Sequence, residues 1–125
     1  GSSYTFTIND PLSLPSGTIV TFRNAAYDTI GWLGTASGTT SVVATSITAF
    51  GGLLLAVYGR NNGVSNTFAT PSGMSQVVLY NSAAGNASGV IFSETVAAGA
   101  TGSRTSNSTA ASGTTAGILL SLKPA

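Results

Sequence analysis

This sequence contains no cysteine and no histidine, and only 6% of its 125 residues are charged, against about 25% in a typical soluble domain. Without cysteine there can be no disulfide bond, so packing or oligomerisation must stabilise the fold. Without histidine the chain lacks the commonest general base and metal ligand. These absences disfavour most hydrolytic and metal-dependent enzymes, and we expect no cofactor.

Charge is also too sparse for two classes of binding protein. The net charge is +1, and the four basic side chains are spread along the chain. Nucleic-acid binding needs a cluster of cations, and a membrane-surface helix needs a basic amphipathic stretch. The longest strongly apolar run, Leu53–Tyr58, is far shorter than the ~20 residues that span a bilayer. We therefore expect no nucleic-acid partner and no membrane insertion.

The three carboxylates, Asp10, Asp28 and Glu94, lie far apart in the sequence. Asp10 precedes a proline, where aspartate commonly caps a turn. Glu94 is expected either to be solvated at an edge or to pair with an arginine such as Arg60 or Arg104, because an unpaired buried carboxylate is costly. No phosphate-binding loop, nucleophile elbow or calcium loop is present. The sequence therefore predicts a protein that is not an enzyme.

Small hydroxyl side chains supply most of the polarity, with 18 serines and 18 threonines alongside 42% apolar residues. Short apolar runs between glycine- and proline-containing turns favour strands, and no helical pattern exceeds one turn. We predict an all-β fold, an antiparallel, jelly-roll-like β-sandwich of about eight strands. The length fits a single domain over residues 1–125, in which Gly1-Ser2 is expected to be a cloning remnant.

The first third of the chain suggests three strands. Tyr4–Ile8 alternates large apolar residues with threonine, the period of a half-buried strand. Thr18–Arg23 is predicted as a second strand, Asn24–Thr29 as a loop, and Ile30–Leu33 as a short third strand or a tight edge segment.

Leu53–Tyr58 has glycine on both sides and is predicted to be the central strand, buried on both faces. Ile118–Leu122 is a second apolar run and a candidate neighbour. Met74–Tyr80 and Val90–Val96 are predicted to form a hairpin beside these two strands. A weaker strand is predicted near Arg104–Ala110.

Three short motifs occur in an order similar to that of a β-sandwich module of bacteriophage structural proteins and some bacterial surface proteins. They are Gly52-Leu53-Leu54-Leu55, Thr70-Pro71-Ser72-Gly73 and Leu120-Ser121-Leu122-Lys123-Pro124-Ala125. The module carries an acidic residue where this chain has Gly52, and a tryptophan where it has Met74. The resemblance covers about two-thirds of the chain.

The resemblance implies a sandwich domain in a virion tail, fibre or head appendage, and it implies no catalytic residues. A surface poor in charge suits subunit packing. We predict a non-enzymatic virion structural or display protein that acts through assembly with itself or other virion subunits and through surface attachment. Its expected location is the virion, or otherwise the cell surface. The alternative prediction is a carbohydrate-binding module that recognises cell-surface glycans.

Aromatic faces that stack on sugars and planar polar groups that bond hydroxyls are the chemistry such attachment needs. The sequence places these residue types at expected loops and strand ends. The candidate contacts are Tyr27, Asp28, Trp32, Arg60, Asn61 and Asn62. Trp32 lies between glycines, yet buried aromatics dominate small cores, so the sequence favours Trp32 as a core residue over Trp32 as a contact. Tyr58 is expected to place its ring in the core and its hydroxyl at the rim.

Overall fold

The computed structural model describes residues 18–61, 65–81 and 87–125. The predicted strand Tyr4–Ile8, Asp10 and Asn62 lie outside these residues. The described strands are β1 (Ala25–Ile30), β2 (Gly34–Ser37), β3 (Ser41–Ala44), β4 (Thr48–Ala49), β5 (Gly52–Asn61), β6 (Ser75–Asn81), β7 (Ala87–Val96), β8 (Gly99–Ala100), β9 (Arg104–Asn107) and β10 (Thr114–Pro124).

The main sheet has the strand order β1-β10-β5-β7-β6, and β2 also pairs with β10. Every pairing is antiparallel. The apolar run that follows Gly52 is therefore the central strand, as predicted, with the C-terminal apolar strand on one side of it. The predicted hairpin, formed by β6 and β7, lies on its other side.

A glycine at the start of β5 allows the central strand to lie close to its neighbour. Gly52 has a φ of 133°, and a Cβ placed on it would lie 2.5 Å from the Leu122 carbonyl oxygen. Glycine adopts this backbone conformation readily, whereas other residues are strained there. The family resemblance places an acidic residue at this position, and the geometry here accommodates only glycine.

A smaller layer covers one face of the main sheet. In this layer β3 pairs with β9, and β4 pairs with β8. Val42 of β3 packs with Leu54, Tyr58, Phe92 and other buried side chains into one core cluster. The chain is thus an all-β, sandwich-like fold of antiparallel sheets. The described residues include no helix long and apolar enough to cross a membrane.

The two faces of the central strand differ. Leu54, Ala56 and Tyr58 point toward the smaller layer and are at most 1% exposed, and we call this side of the main sheet its inner face. Leu53 and Val57 point to the opposite side and are only partly buried. Leu55 is on that side too and is 4% exposed, so the prediction of burial on both faces is confirmed for the inner face and, on the opposite side, for Leu55.

The structure corrects the prediction for residues 18–37. Thr18 to Phe22 form no strand, and the segment predicted as a loop contains β1. Of Ile30–Leu33, the first residue ends β1 and residues 31–33 are unpaired chain between β1 and β2. The prediction of a third strand there is wrong, and the alternative of an edge segment fits. Pairing with β10 accounts for the difference, because backbone hydrogen bonds to a long partner strand outweigh weak local propensity. Ten strands are described instead of about eight, two of them only two residues long.

Tyr58 links the two layers. Its ring is 1% exposed and meets Phe92 edge-to-face, with ring centroids 6.1 Å apart. Its hydroxyl donates a hydrogen bond of 2.8 Å to the Arg104 carbonyl oxygen on β9. The core position of the ring is confirmed, but the hydroxyl is buried at the layer interface, not at an open rim. Burial raises the pKa of Tyr58 to about 12, and the positive charge of Arg104 partly opposes this shift.

The variant Tyr58→Phe should lose about 1–2 kcal/mol of unfolding free energy near neutral pH, because the Arg104 carbonyl loses its donor. Above pH 10.0 the unfolded chain releases the phenolic proton, whereas the folded chain keeps it up to about pH 12. This contribution of Tyr58 to stability should therefore fall with rising pH in that window, on the order of 1 kcal/mol per pH unit. Urea unfolding followed by circular dichroism measures both effects.

The exposed residue Tyr27 provides the control. Tyr27→Phe should change the unfolding free energy by less than about 0.5 kcal/mol, as is usual for surface substitutions. If Tyr58→Phe keeps the full alkaline loss of stability seen in the wild type, Tyr58 is not its source.

Candidate functional site

The candidate contact residues nearest the N-terminus lie along the β1 edge of the main sheet. Tyr27 pairs with Leu122, and the register then shifts between Tyr27 and Thr29, so that Asp28 is the extra residue of a β-bulge. Both β1 and β2 pair with β10, and the chain between them, residues 31–33, leaves the ladder. The sheet edge therefore carries two irregularities within a few residues.

Two glycines hold the residues between β1 and β2 against the rest of the fold. The Gly31 N–H donates to the Leu119 carbonyl oxygen at 2.8 Å. A Cβ on Gly31 would lie 2.8 Å from the Ile47 side chain, and a Cβ on Gly34 would lie 2.5 Å from the Val43 carbonyl oxygen. Backbone at these two positions is thus packed too closely for any side chain. The two residues between them are directed away from the fold.

Trp32 occupies this position and is 90% exposed. The prediction that it is a core residue is wrong. Large rings from other strands already fill the core, namely Tyr58, Phe92 and Phe68. The close packing of Gly31 and Gly34 against Ile47 and Val43 leaves the segment between them directed outward, which places Trp32 in solvent.

Further apolar side chains are exposed around Trp32. We call this group the apolar edge; its members are Tyr27 (61% exposed), Ile30 (51%), Trp32 (90%), Leu33 (59%) and Phe50 (70%). Sequence reasoning missed Phe50 as a surface residue. The Lys123 ammonium lies 5.5 Å from the centre of its ring, within range of a cation–π contact. An apolar residue beside glycines, as at Phe50-Gly51-Gly52, was the available signal.

Asp28 has a structural role beneath this edge. Its Oδ2 accepts a hydrogen bond of 2.8 Å from the Phe50 N–H and one of 2.5 Å from the Ser121 hydroxyl. These two hydrogen bonds, with the nearby charge of Lys123, hold the pKa of Asp28 below its ordinary value, and the Phe50 N–H is the largest cause. The carboxylate connects β1 to the segment after β4 and to β10. It lies on a strand, not on the predicted loop.

Arg60 is not a surface contact. It is 3% exposed, and its guanidinium donates to the Ser112 carbonyl oxygen at 2.5 Å and to the Thr39 carbonyl oxygen. Its Nε has no hydrogen-bond partner within the described part of the chain. Burial lowers the pKa of Arg60 from its ordinary value. The prediction that Arg60 lies in a polar loop available for binding is wrong, because β5 extends through it and its side chain turns inward.

The structure does not bring together the five predicted contact residues that it describes. Asn61 is exposed at the end of β5, next to Arg60. Tyr27 pairs with Leu122, which in turn pairs with Leu53 at the other end of β5. Arg60 is seven positions beyond Leu53 along β5, which corresponds to about 23 Å at the usual rise per residue of a strand. Tyr27, Asp28 and Trp32 therefore form one region, and Arg60 and Asn61 belong to another.

The second described carboxylate is also engaged. Glu94 Oε1 lies 2.5 Å from Arg104 Nη2 and accepts a hydrogen bond of 2.6 Å from Arg104 Nε. Of the predicted alternatives, pairing with Arg104 is the one the structure shows. The described residues include no group of three His, Cys, Asp or Glu side chains that could hold a metal ion. What this surface offers is apolar and aromatic contact area.

A shallow groove of about 580 Å³ lies on the face of the main sheet opposite the smaller layer. Its floor includes Gly59, Gly89 and Ala116, which are paired across adjacent strands. A Cβ on Gly59 would meet nothing closer than the Ser88 carbonyl oxygen at 3.8 Å. The groove therefore exists because these positions carry little side chain, not because the backbone demands glycine there.

Comparison with protein-family models, curated proteins and solved structures finds no significant match to this chain. The resemblance to bacteriophage structural modules stays a prediction from sequence motifs.

The variant Gly34→Ala should destabilise the fold by about 1–3 kcal/mol, the usual cost of forcing atoms into a packed site. The added methyl group would contact the Val43 carbonyl oxygen at 2.5 Å. Gly59→Ala is the matched control and should change stability by less than about 1 kcal/mol, because its methyl group meets open space. Urea unfolding followed by circular dichroism compares them; equal effects would contradict the close approach at Gly34.

The variant Asp28→Asn should weaken the attachment of Phe50 and lower stability at neutral pH. Because the pKa of Asp28 lies below 3.8, its ionised form stabilises the fold above that pH, and the stabilisation is lost as the pH falls further. The stability difference between wild type and variant should therefore shrink in acid. Thermal melts at about pH 7 and about pH 3 measure it, and an unchanged difference would show that the charge of Asp28 plays no part.

Proposed function

We propose that this chain is a non-enzymatic structural or display domain that works through protein–protein assembly and surface attachment, as part of a virion tail, fibre or capsid appendage. The observation that carries the proposal is Trp32, 90% exposed between two glycines whose backbone is fixed against the fold. A large aromatic side chain held in water on a rigid support favours a contact in which the ring becomes buried.

The support beneath the apolar edge favours binding without rearrangement. Gly31 is hydrogen-bonded to Leu119, and Asp28 fixes both Phe50 and Ser121. A contact surface that is already ordered loses less conformational entropy when a partner binds. The rings at this edge are therefore presented in a geometry that a partner can meet directly.

The two described carboxylates support attachment over catalysis. Asp28 accepts two structural hydrogen bonds, and Glu94 is paired with Arg104. Both carboxylates are thus engaged in contacts within the fold, and the hydrogen bonds to Asp28 hold its pKa below the ordinary value. The virion setting rests on the order of the Gly-Leu-Leu-Leu and Thr-Pro-Ser-Gly motifs and on the low charge of the chain.

A carbohydrate-binding module is the second candidate function. Tyr27 and Trp32 are both exposed along one edge, and sugar rings stack on aromatic faces. Asn61 and Arg60, which the sequence assigned to the same contact, lie about 23 Å from Tyr27 by strand rise. A glycan would therefore be bound by the apolar edge without Arg60.

The variant Trp32→Ala tests whether the edge mediates attachment. Folding should be unchanged within about 0.5 kcal/mol, because the removed side chain is exposed. Binding to purified virion components or to host cell walls should fall at least tenfold in pull-down and surface plasmon resonance measurements. Val43→Ala, which removes an exposed side chain from β3, is the control and should bind like the wild type.

A glycan array with the same variants separates the two functions. Binding of the wild type to defined glycans, lost in Trp32→Ala, favours the carbohydrate module. If the chain is incorporated into virions but binds no glycan on the array, the structural domain is favoured. If antibodies to the chain label no virions and Trp32→Ala binds every partner normally, both functions are excluded for this edge.

A further inference from the structure

The side of the main sheet that faces away from the smaller layer is almost entirely apolar. Directly paired residues on neighbouring strands point to the same side of a sheet. Val57 pairs with Ile118 on β10 and with Ile91 on β7. We call this side the outer face; its members are Leu53, Leu55 and Val57 of β5, Ile118, Leu120 and Leu122 of β10, and Ile91 of β7.

The outer face is more apolar than the inner face. Buried polar side chains of β10 and β7, such as Thr115, Ser121 and Ser88, lie on the inner face. The defined outer-face residues are all apolar, and the polar residues beside them on the same side, Ser93 and Thr95 of β7, are uncharged. In an antiparallel sheet with one solvated side, the solvated side normally carries polar residues. This pattern predicts that the outer face, too, is covered by apolar atoms.

No described strand covers the outer face, although Leu55 is only 4% exposed and Thr18 lines the groove on this side. Outside the main sheet, β3 and β4 contact it. Val42 and Ala44 of β3 belong to the core cluster, which contains none of the outer-face residues. The segment after β4 meets β1 through Asp28, which also bonds Ser121 on the inner face. Both contacts lie on the inner side.

We propose that the outer face packs against the outer face of a second copy of this chain. This rests on the proposed function in one respect, namely that the domain self-assembles. Five strands about 4.8 Å apart and a central strand of ten residues give a face on the order of 650 Å². One partner in a standard protein interface contributes roughly 800 Å², so two such faces suffice for a specific dimer.

The absence of charge from the outer face favours an identical partner. Charged residues are depleted at the centre of stable interfaces, and a two-fold contact brings the same surface against itself. The groove floored by Gly59, Gly89 and Ala116 belongs to this face and would be filled in the same contact. The β1 edge is less suited to pairing between copies, because a bulge and Asp28 interrupt it, as in protected sheet edges.

The full-length chain should have twice its 12.3 kDa mass in light scattering at tens of micromolar concentration. Leu120→Lys places a charge in the middle of the outer face and should return the mass to that of one chain. Val43→Lys places the same charge on exposed β3 and should leave the dimer intact. A monomeric wild type overturns the proposal.

Cross-linking keeps the test valid if Leu120→Lys fails to fold. The chain has no cysteine, so Ser93→Cys, beside Leu55 on the outer face, introduces a single thiol. A short bismaleimide should cross-link this variant into dimers at least tenfold more efficiently than Thr105→Cys, which is on the exposed side of β9. Equal cross-linking of the two variants would place the contact elsewhere.

Hydroxyl-radical footprinting of the full chain distinguishes a second copy of the chain from any other occupant of the outer face. Protection of Ile91 and Leu120 only at concentrations where the dimer forms supports the proposal. Their protection in a monomer would mean that residues 1–17 cover the face, and protection only with a different protein would identify a heterologous partner; both results overturn the proposal. Neither result bears on attachment through Trp32, so failure of the dimer and failure of the proposed function are distinguishable.

Discussion

The pairing of β10 with β5 is the interaction on which the rest of the structure depends. Nine consecutive residue pairs join the two strands in antiparallel register, from Thr114 with Asn61 to Leu122 with Leu53. On its other side β10 pairs with both β1 and β2. The last strand of the chain thus organises segments about 50 to 100 residues earlier. Such long-range pairings are expected to form slowly, because the intervening loops must close first.

The core that forms on this sheet uses hydroxyl groups where other proteins use charge. Thr115 donates to the Ala36 carbonyl oxygen at 3.1 Å, and Ser106 donates to the Ala69 carbonyl oxygen at 2.7 Å. These two buried hydroxyls each satisfy a backbone carbonyl, which avoids the cost of an unpaired polar group. Such bonds also connect β10 to β2 and β9 to the loop before β6. They explain structurally why a chain so rich in serine and threonine needs few ion pairs.

The same pairing sets out the surfaces available for function. β1 and β2 both pair with β10, and the residues that connect these two strands do not pair with it. Trp32 is exposed in this connection. Because β5 pairs in register with β7 and β10, their paired apolar residues also lie together on the outer face. One surface is a narrow edge of exposed rings and the other a broad apolar sheet. They adjoin, since Tyr27 and Ile30 of the edge pair with Leu122 and Leu120 of the outer face. They suit different tasks, attachment at the edge and subunit packing at the face.

The sequence by itself determined the all-β class, the central position of Leu53–Tyr58 and the neighbouring strands, because apolar runs between glycines and strict alternation report local geometry directly. It also limited Glu94 to an edge or an arginine partner. Only the tertiary structure decided that Trp32 is exposed and Arg60 buried. Local sequence gives neither answer, because the deciding contacts come from distant segments. Ile47 and Val43 lie against the two glycines that flank Trp32, and the carbonyl groups of Ser112 and Thr39 accept hydrogen bonds from Arg60. Burial depends on what distant segments place beside a residue, and that is a property of the fold.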